Sequence, residues 1–166
     1  MKITLKLSGA DGLLRTLQSL PAEVVSNRGG PVKLALAKGA RLIRDQAKQN
    51  LERIIAESDE TTGLLQKNVV ASRGKAMHGS KGERYLVRVR RKAYDHQQIG
   101  RRERAGKRVT THKTAALLEY GSSHQSATPW LRPAVQQKGQ EAIEAIVSDL
   151  DRRLQKIVRD LARKNR

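Results

Sequence analysis

Residues 117–135, which read LLEYGSSHQSATPWLRPAV, decide how the second half of this chain is organised. An apolar helical turn ends at Gly121, seven small or polar residues follow, and the chain's only tryptophan, Trp130, then lies between Pro129 and Pro133. Gly121 permits a sharp turn, and each proline restricts the backbone beside it. Pro133 falls at or near a first helical turn, where its missing N–H is harmless. The pattern predicts a Trp130 held at the root of a helix, either as an ordinary buried side chain or as a contact with another chain.

The helix that follows is the clearest element of the sequence. Its apolar residues recur at helical spacing opposite a charged face: Val135, Ala142, Ile143, Ile146, Val147, Leu150, Leu154, Ile157, Val158 and Leu161. One helix this long exceeds what a small core needs. We therefore expect its inner half to pack on the sheet and its outer half, with Leu154, Ile157, Val158 and Leu161, to meet a partner chain. The alternative is a solvated helix end that frays.

The remaining elements follow from apolar spacing. Residues 3–7 alternate as in a short strand, a short helix is predicted from Asp11 to Pro21, and an amphipathic helix is predicted over about 31–57. The stretch LLQKNVVAS predicts a helical turn passing into a strand, and ERYLVRVRR predicts the antiparallel strand that pairs with it. The fold class is thus α+β, in a single domain spanning 1–166. Its core is predicted to occupy 1–128, and its long helix 129–166.

The composition narrows the class of protein. The 34 Lys and Arg against 16 Asp and Glu leave a net charge of +18, which favours polyanionic or acidic partners. Cysteine is absent, so disulfides, thiolate metal sites and a cysteine nucleophile are excluded. No apolar stretch approaches the roughly 18 residues of a membrane helix, and the N-terminus alternates where a signal peptide would be continuously apolar. We expect no membrane partner.

The positive charge is concentrated in residues 88–113, which hold ten basic and two acidic residues. We expect 92–113 to be a mobile basic loop, because it offers too little apolar surface to offset its ordering entropy. Its DNA-facing or protein-facing residues are predicted to be Arg90, Arg91, Lys92, Arg101, Arg102, Arg104, Lys107 and Arg108. With three Tyr, one Trp and no Phe, a platform for stacking single-stranded bases would be thin.

No motif in the sequence indicates an enzyme. Residues 74–81 approach a phosphate-binding loop, but Ser and Lys are exchanged and a strand follows where a helix is required. The histidines at 78, 96, 112 and 124 form no metal-binding pair. Ser122, His124 and Glu119 lack the nucleophile elbow and oxyanion loop of a hydrolase. We predict no catalytic residue, no metal and no cofactor.

Three short motifs resemble the tail-completion or neck family of long-tailed bacteriophages. They are Leu118-Glu119-Tyr120-Gly121, then Thr128-Pro129-Trp130-Leu131-Arg132-Pro133-Ala134, and upstream Thr62-Gly63-Leu64-Leu65-Gln66-Lys67. Trp130 stands where that family usually has Phe, and Gln66 where a basic residue is frequent. The resemblance covers roughly 30–135 and leaves the basic insertion unmatched.

The resemblance implies a non-catalytic structural protein of the virion. Members of the family are small α+β subunits that form a ring, with hexamers implied by tail symmetry, at the head-proximal end of the tail. The partners it implies are the tail terminator, the tail tube and the head-side connector, with assembly in the host cytoplasm. A basic nucleic-acid-binding protein without catalytic activity is the alternative that the charge supports.

Overall fold

The structure, a computed structural model, describes residues 30–56, 63–75, 82–94 and 109–164, except for the side chains at 56, 158, 161, 162 and 164. These ranges contain four helices and two strands. In chain order they are α1 (Pro31–Ala56), α2 (Leu64–Asn68), β1 (Val69–Arg73), β2 (Tyr85–Val89), α3 (Thr111–Tyr120) and α4 (Leu131–Lys164). The α+β class, the amphipathic helix near 31–57 and the turn-to-strand passage after 63 are confirmed. The predicted strand at 3–7 and the short helix after Asp11 lie outside the described residues.

Helices α1 and α4 pack along each other in antiparallel directions. Ala134 at the start of α4 shares a buried cluster with Leu51 near the end of α1. At the other end of the pair, Leu150 and Leu154 of α4 pack with Ala35 near the start of α1. With 26 and 34 residues, the two helices are roughly 39 and 51 Å long. This pair forms the most extensive contact among the described elements, so the inner half of α4 packs mainly on α1 and not, as predicted, on the sheet.

A glycine brings the two helices close together. A Cβ atom placed on Gly39 would lie 2.5 Å from Cδ1 of Ile146 and 2.9 Å from the carbonyl oxygen of Ala142. No side chain fits there without displacing α4, because real Cβ atoms do not approach other heavy atoms so closely. The residue at this contact is therefore dictated by the distance between the helices.

The sheet is one antiparallel pair that lies on α1. Val69 pairs with Val89 and Ala71 with Val87, so these four residues share one face. Val69 is fully buried in the main core cluster, and Val87 and Val89 pack against that cluster. The strand pairing predicted from alternation is confirmed.

The outer half of α4 differs from its predicted role. Leu154 is only 4% exposed and belongs to a second buried cluster with Ala35 and Leu150. The prediction that Leu154 serves a partner chain is therefore wrong, because α1 extends far enough to cover it. Ile157 is half-buried, and the side chains of Val158 and Leu161 lie outside the described residues.

The predicted loop at 92–113 is shorter than expected at both ends. Residues 111–113 form the first turn of α3, and Ala93 forms an antiparallel bridge with Thr110. The fully buried Thr111 links the residues on the two sides of the predicted loop. Its Oγ1 accepts the N–H of Lys92 at 3.0 Å and donates to the carbonyl oxygen of Arg90 at 2.6 Å. Residues 95–108, with Arg101, Arg102, Arg104, Lys107 and Arg108, lie outside the described residues.

Candidate assembly corner at the root of the long helix

A side chain from the end of α3 caps the beginning of α4. Oε2 of Glu119 accepts the backbone N–H groups of Trp130 and Leu131, each at 2.9 Å, and Oε1 accepts that of Arg132 at 3.1 Å. The first amides of a helix have no partner within the helix, so an acceptor must come from elsewhere. Glu119 performs the task that an N-cap side chain ordinarily performs from the adjacent position.

The charge of Glu119 is matched by the groups around it. Its side chain is 6% exposed, and Arg132 Nε donates to Oε1 at 2.9 Å while Nη2 of the same guanidinium donates to the Glu119 carbonyl oxygen at 2.9 Å. Burial disfavours the carboxylate, but the N–H groups of Leu131 and Trp130 and the guanidinium outweigh burial and hold the pKa of Glu119 below its usual value. The ionised carboxylate also lies at the positive end of the α4 dipole.

Trp130 ties three helices together. It is 2% exposed, and its indole Nε1–H donates to the carbonyl oxygen of Ala115 in α3 at 3.2 Å. Its own carbonyl oxygen accepts Nδ2–H of Asn50 in α1 at 3.0 Å. The indole packs in the main core cluster with Leu51 and Leu65. Of the two interpretations of Trp130, burial within the subunit is what the geometry supports, and the indole leaves almost no surface for another chain.

The loop between α3 and α4 folds back on its own start. Gly121 has φ of 74°, and a Cβ atom there would lie 2.9 Å from the backbone nitrogen of Ala127. The N–H of Ser122 donates to the carbonyl oxygen of Gln125 at 2.8 Å, and that of Thr128 donates to Leu118 at 2.8 Å. Glycine is required here by both the left-handed φ and the lack of space.

Two large side chains are exposed where α3 meets the loop that leads to α4. Tyr120 is 73% exposed and Leu117, one turn earlier on α3, is 37% exposed. Cζ of Arg132 lies 5.1 Å from the centroid of the Tyr120 ring, a cation–π distance. We call Leu117, Tyr120 and the exposed residues 122–129 the corner surface. Pro129 belongs to it, whereas Pro133 is half-buried in the first turn of α4.

The described candidates for catalysis and metal binding do not converge, and His78, His96 and residues 76–81 lie outside the described residues. Glu119 is engaged with α4, and Ser122 Oγ accepts the backbone N–H of His124 at 3.2 Å. Among the described residues, no group of three or more histidine or acidic side chains could hold a metal ion. In the same ranges, no helix is long and apolar enough to cross a membrane.

Two polar residues of the interior were not singled out in the sequence. Asn50, 9% exposed, reaches Trp130 across 80 residues. Asp149 has a side chain that is 1% exposed and is paired with Arg152, Arg153 and, at 3.7 Å, Lys38 of α1. The hydrogen bond from Arg153 lowers the pKa of Asp149, with Arg152 and Lys38 adding to it against burial. The sequence signal for this buried ion-pair cluster was an acidic residue beside the apolar stripe of α4, followed by arginines three and four residues later.

Comparisons of this chain with family models, with curated proteins and with solved structures found no match.

Proposed function

We propose that this chain is a structural subunit of the neck of a long-tailed bacteriophage, completing the tail and joining it to the DNA-filled head. The observation that carries the proposal is the bonding of Glu119 to the first amides of α4. It joins residues 118–121 to 128–134, the two stretches that resemble the tail-completion family. Short motifs gain weight as a signature when their residues cooperate in one structural unit.

The proposed role is assembly without catalysis or a cofactor. Glu119, Trp130 and Arg132 of the motif are bonded to one another or to the backbone of the chain, which suits a rigid joint. A ring subunit needs two different faces that meet when copies are related by rotation. We assign one face to the corner surface and the other to the end of α4 from Ile157 onward.

The proposed assembly is a ring of identical copies, six by the symmetry of the tail. Its neighbours would be the tail tube, the tail terminator and the head-side connector, with the finished protein in the virion and assembly in the host cytoplasm. Tyr120, which is 73% exposed, is the aromatic side chain of the motif that remains available for a subunit contact, since exposed aromatic residues are frequent anchors of interfaces.

Electron microscopy tests the location directly. Particles and free tails from the host that encodes this chain are labelled with antibody against it. We expect the label at the head-proximal end of tails and at the head–tail joint of complete particles. Label on the capsid surface or at the tail tip, or no label on any particle, would refute the assignment.

A pair of variants tests the corner surface. Tyr120→Ala removes an exposed ring, so we expect normal thermal unfolding of the isolated subunit but loss of the chain from purified tails. Arg41→Ala is the matched control, because Arg41 is also exposed and lies in the middle of α1, whereas the two assigned faces lie near its ends. Equal incorporation of both variants would show that Tyr120 does not take part in the assembly contact.

The second candidate function is nucleic-acid binding without catalysis. It is favoured by exposed Arg88, Arg90, Arg91 and Lys92 along and after β2. A dedicated binder would hold nucleic acid at physiological salt with a steep salt dependence, whereas an isolated ring subunit would bind only loosely.

A further inference from the structure

The two faces of the β1–β2 sheet differ in chemistry. Val87 and Val89 pack against the core, so the alternate residues of β2 must point the other way. The antiparallel ladder continues past both ends of β2, since Gly74 N–H donates to the carbonyl oxygen of Arg84 at 2.8 Å and Arg90 N–H donates to that of Asn68 at 2.9 Å. Alternation therefore extends over residues 84–90.

Three arginines lie on the outward face of this ladder. Arg84, Arg88 and Arg90 are exposed, and they share the face with half-buried Leu86. The partners across the sheet are uncharged: Val70 lies opposite Arg88, and Ser72 lies opposite Leu86. This face of the described sheet thus carries three positive charges and no negative one.

Several arginines of the described ranges form ion pairs, but the three on the outward face do not. On the inner face of the sheet, Arg73 is bonded to Glu83 at 2.6 Å. Arg132 is bonded to Glu119, and Arg153 to Asp149. Within the described ranges, no ion pair involves Arg84, Arg88 or Arg90. Their mutual repulsion is therefore reduced only by solvent or by a partner of opposite charge.

The arginines form a line that continues beyond the strand. A strand rises roughly 3.3 Å per residue, so Arg84 and Arg90 lie about 20 Å apart. Exposed Arg91 and Lys92 follow directly. We call Arg84, Arg88, Arg90, Arg91 and Lys92 the arginine ridge. A DNA duplex carries about one phosphate charge per 1.7 Å of its axis, so a line of positive charges of this length faces a dense array of phosphates.

We propose that the arginine ridge binds the phosphate backbone of double-stranded DNA without regard to sequence. A phosphate contact requires only positive charge and reach. Stacking on single strands requires aromatic rings, but Tyr85 lies on the inner face with Arg73, and the outward face has no aromatic residue. A specific protein contact would favour large apolar anchors, and here only half-buried Val70 and Leu86 are present. The inference depends on the charges and register of the sheet. It rests on the second candidate function, for which it names the ligand and the site, and it is separate from the neck assignment.

The test uses the full chain and a labelled duplex of about 20 base pairs of arbitrary sequence, titrated by fluorescence anisotropy between about 50 and 200 mM salt. We expect log affinity to fall linearly with log salt for the unmodified chain. The variant Arg84→Gln/Arg88→Gln/Arg90→Gln should lower that slope by about 3 and weaken binding at low salt roughly tenfold or more. The variant with Lys at the same three positions keeps the charge and should retain the slope.

The control removes the same charge elsewhere. Lys156→Gln/Arg159→Gln/Arg163→Gln alters three exposed residues on α4, and it should change the slope by less than one unit if the ridge is the site. Circular dichroism establishes that each variant is folded. Equal effects of the two triple variants would show that binding depends on net charge alone, and would overturn the proposal. Absence of salt-dependent duplex binding would also overturn the proposal. Tighter binding to polyglutamate of matched charge than to DNA would overturn it in favour of an acidic protein partner.

Discussion

The Oε2 atom of Glu119 and the backbone nitrogen of Trp130 lie 2.9 Å apart, although eleven residues separate them in the chain. Through this bond the last turn of α3 supplies the cap that α4 lacks in its own sequence. The position of the longest helix therefore depends on a carboxylate that belongs to another element.

Glu119→Ala should lower the free energy of unfolding by about 2–4 kcal/mol, because it removes the cap of α4 and takes the carboxylate acceptor from the N–H groups of Trp130 and Leu131 and from Nε of Arg132. Glu119→Gln should have a smaller effect, since the amide oxygen can still accept. Urea unfolding at neutral pH measures both. Equal stability of Glu119→Ala and the unmodified chain would show that α4 finds another cap.

The contribution of Glu119 should also depend on pH. Its pKa is lower in the folded chain than in the unfolded chain, so its ionisation stabilises the fold above the usual glutamate value of about 4.3. That stability is lost as the pH falls through the folded pKa. The difference in unfolding free energy between the unmodified chain and Glu119→Gln should be constant above about pH 5 and shrink below it. Asp149 titrates in the same direction in both proteins and cancels in the difference. A difference that stays constant down to strongly acidic pH would contradict this.

Trp130→Ala should destabilise the isolated subunit by about 3–5 kcal/mol, because the indole is buried among three helices and its removal leaves a cavity. Trp130→Phe keeps most of the volume and loses the bond to Ala115, so a loss of about 1 kcal/mol is expected. Thermal unfolding compares the two. A melting temperature unchanged by Trp130→Ala would place the indole at the surface.

Two glycines of the helix pair should respond in opposite ways to alanine. Gly39→Ala places a methyl group against Ile146 and the backbone of Ala142, and it should destabilise the subunit by about 1–3 kcal/mol. Gly139→Ala, in the interior of α4, meets nothing within 4 Å and should stabilise it by about 0.5–1 kcal/mol. Chemical unfolding of both variants is the check, and effects of the same sign would mean that the α1–α4 distance adjusts freely.

Leu154→Ala should lower stability by about 2–5 kcal/mol, since Leu154 is packed with Ala35 and Leu150 inside the subunit. Truncation after Leu150 should be more severe, because it also removes Arg152 and Arg153 from the buried carboxylate of Asp149. Hydrogen exchange at the start of α1 would report the loss of cover. Full protection there after truncation would restore the outer half of α4 to a purely partner-facing role.

Much of this fold could be predicted because it follows local patterns. The stripe at helical spacing predicted α1 to within about a residue at each end, and alternation predicted β2 and its antiparallel partner. The turn after Tyr120 could also be predicted from the sequence. Gly121 adopts a positive φ, and prolines flank Trp130, so both restrict the backbone locally. The residues of this turn could therefore be listed from the sequence, and their assignment to a family motif stays a prediction.

The roles of individual side chains within that group required the tertiary structure. Glu119 could be recognised as part of a motif, but not as the cap of α4, because that bond depends on how two helices meet. Leu154 looked available to a partner because periodicity reports which residues share a face and not what covers the face. Among the described residues, the pairing of Glu83 with Arg73 and the absence of an ion pair at Arg84, Arg88 and Arg90 likewise depended on strand register. The sequence by itself determined the elements and the joint between them, since both arise from backbone preferences and apolar spacing. The tertiary structure alone decided which charges are neutralised and which apolar side chains are covered, because those depend on distances between residues far apart in the chain.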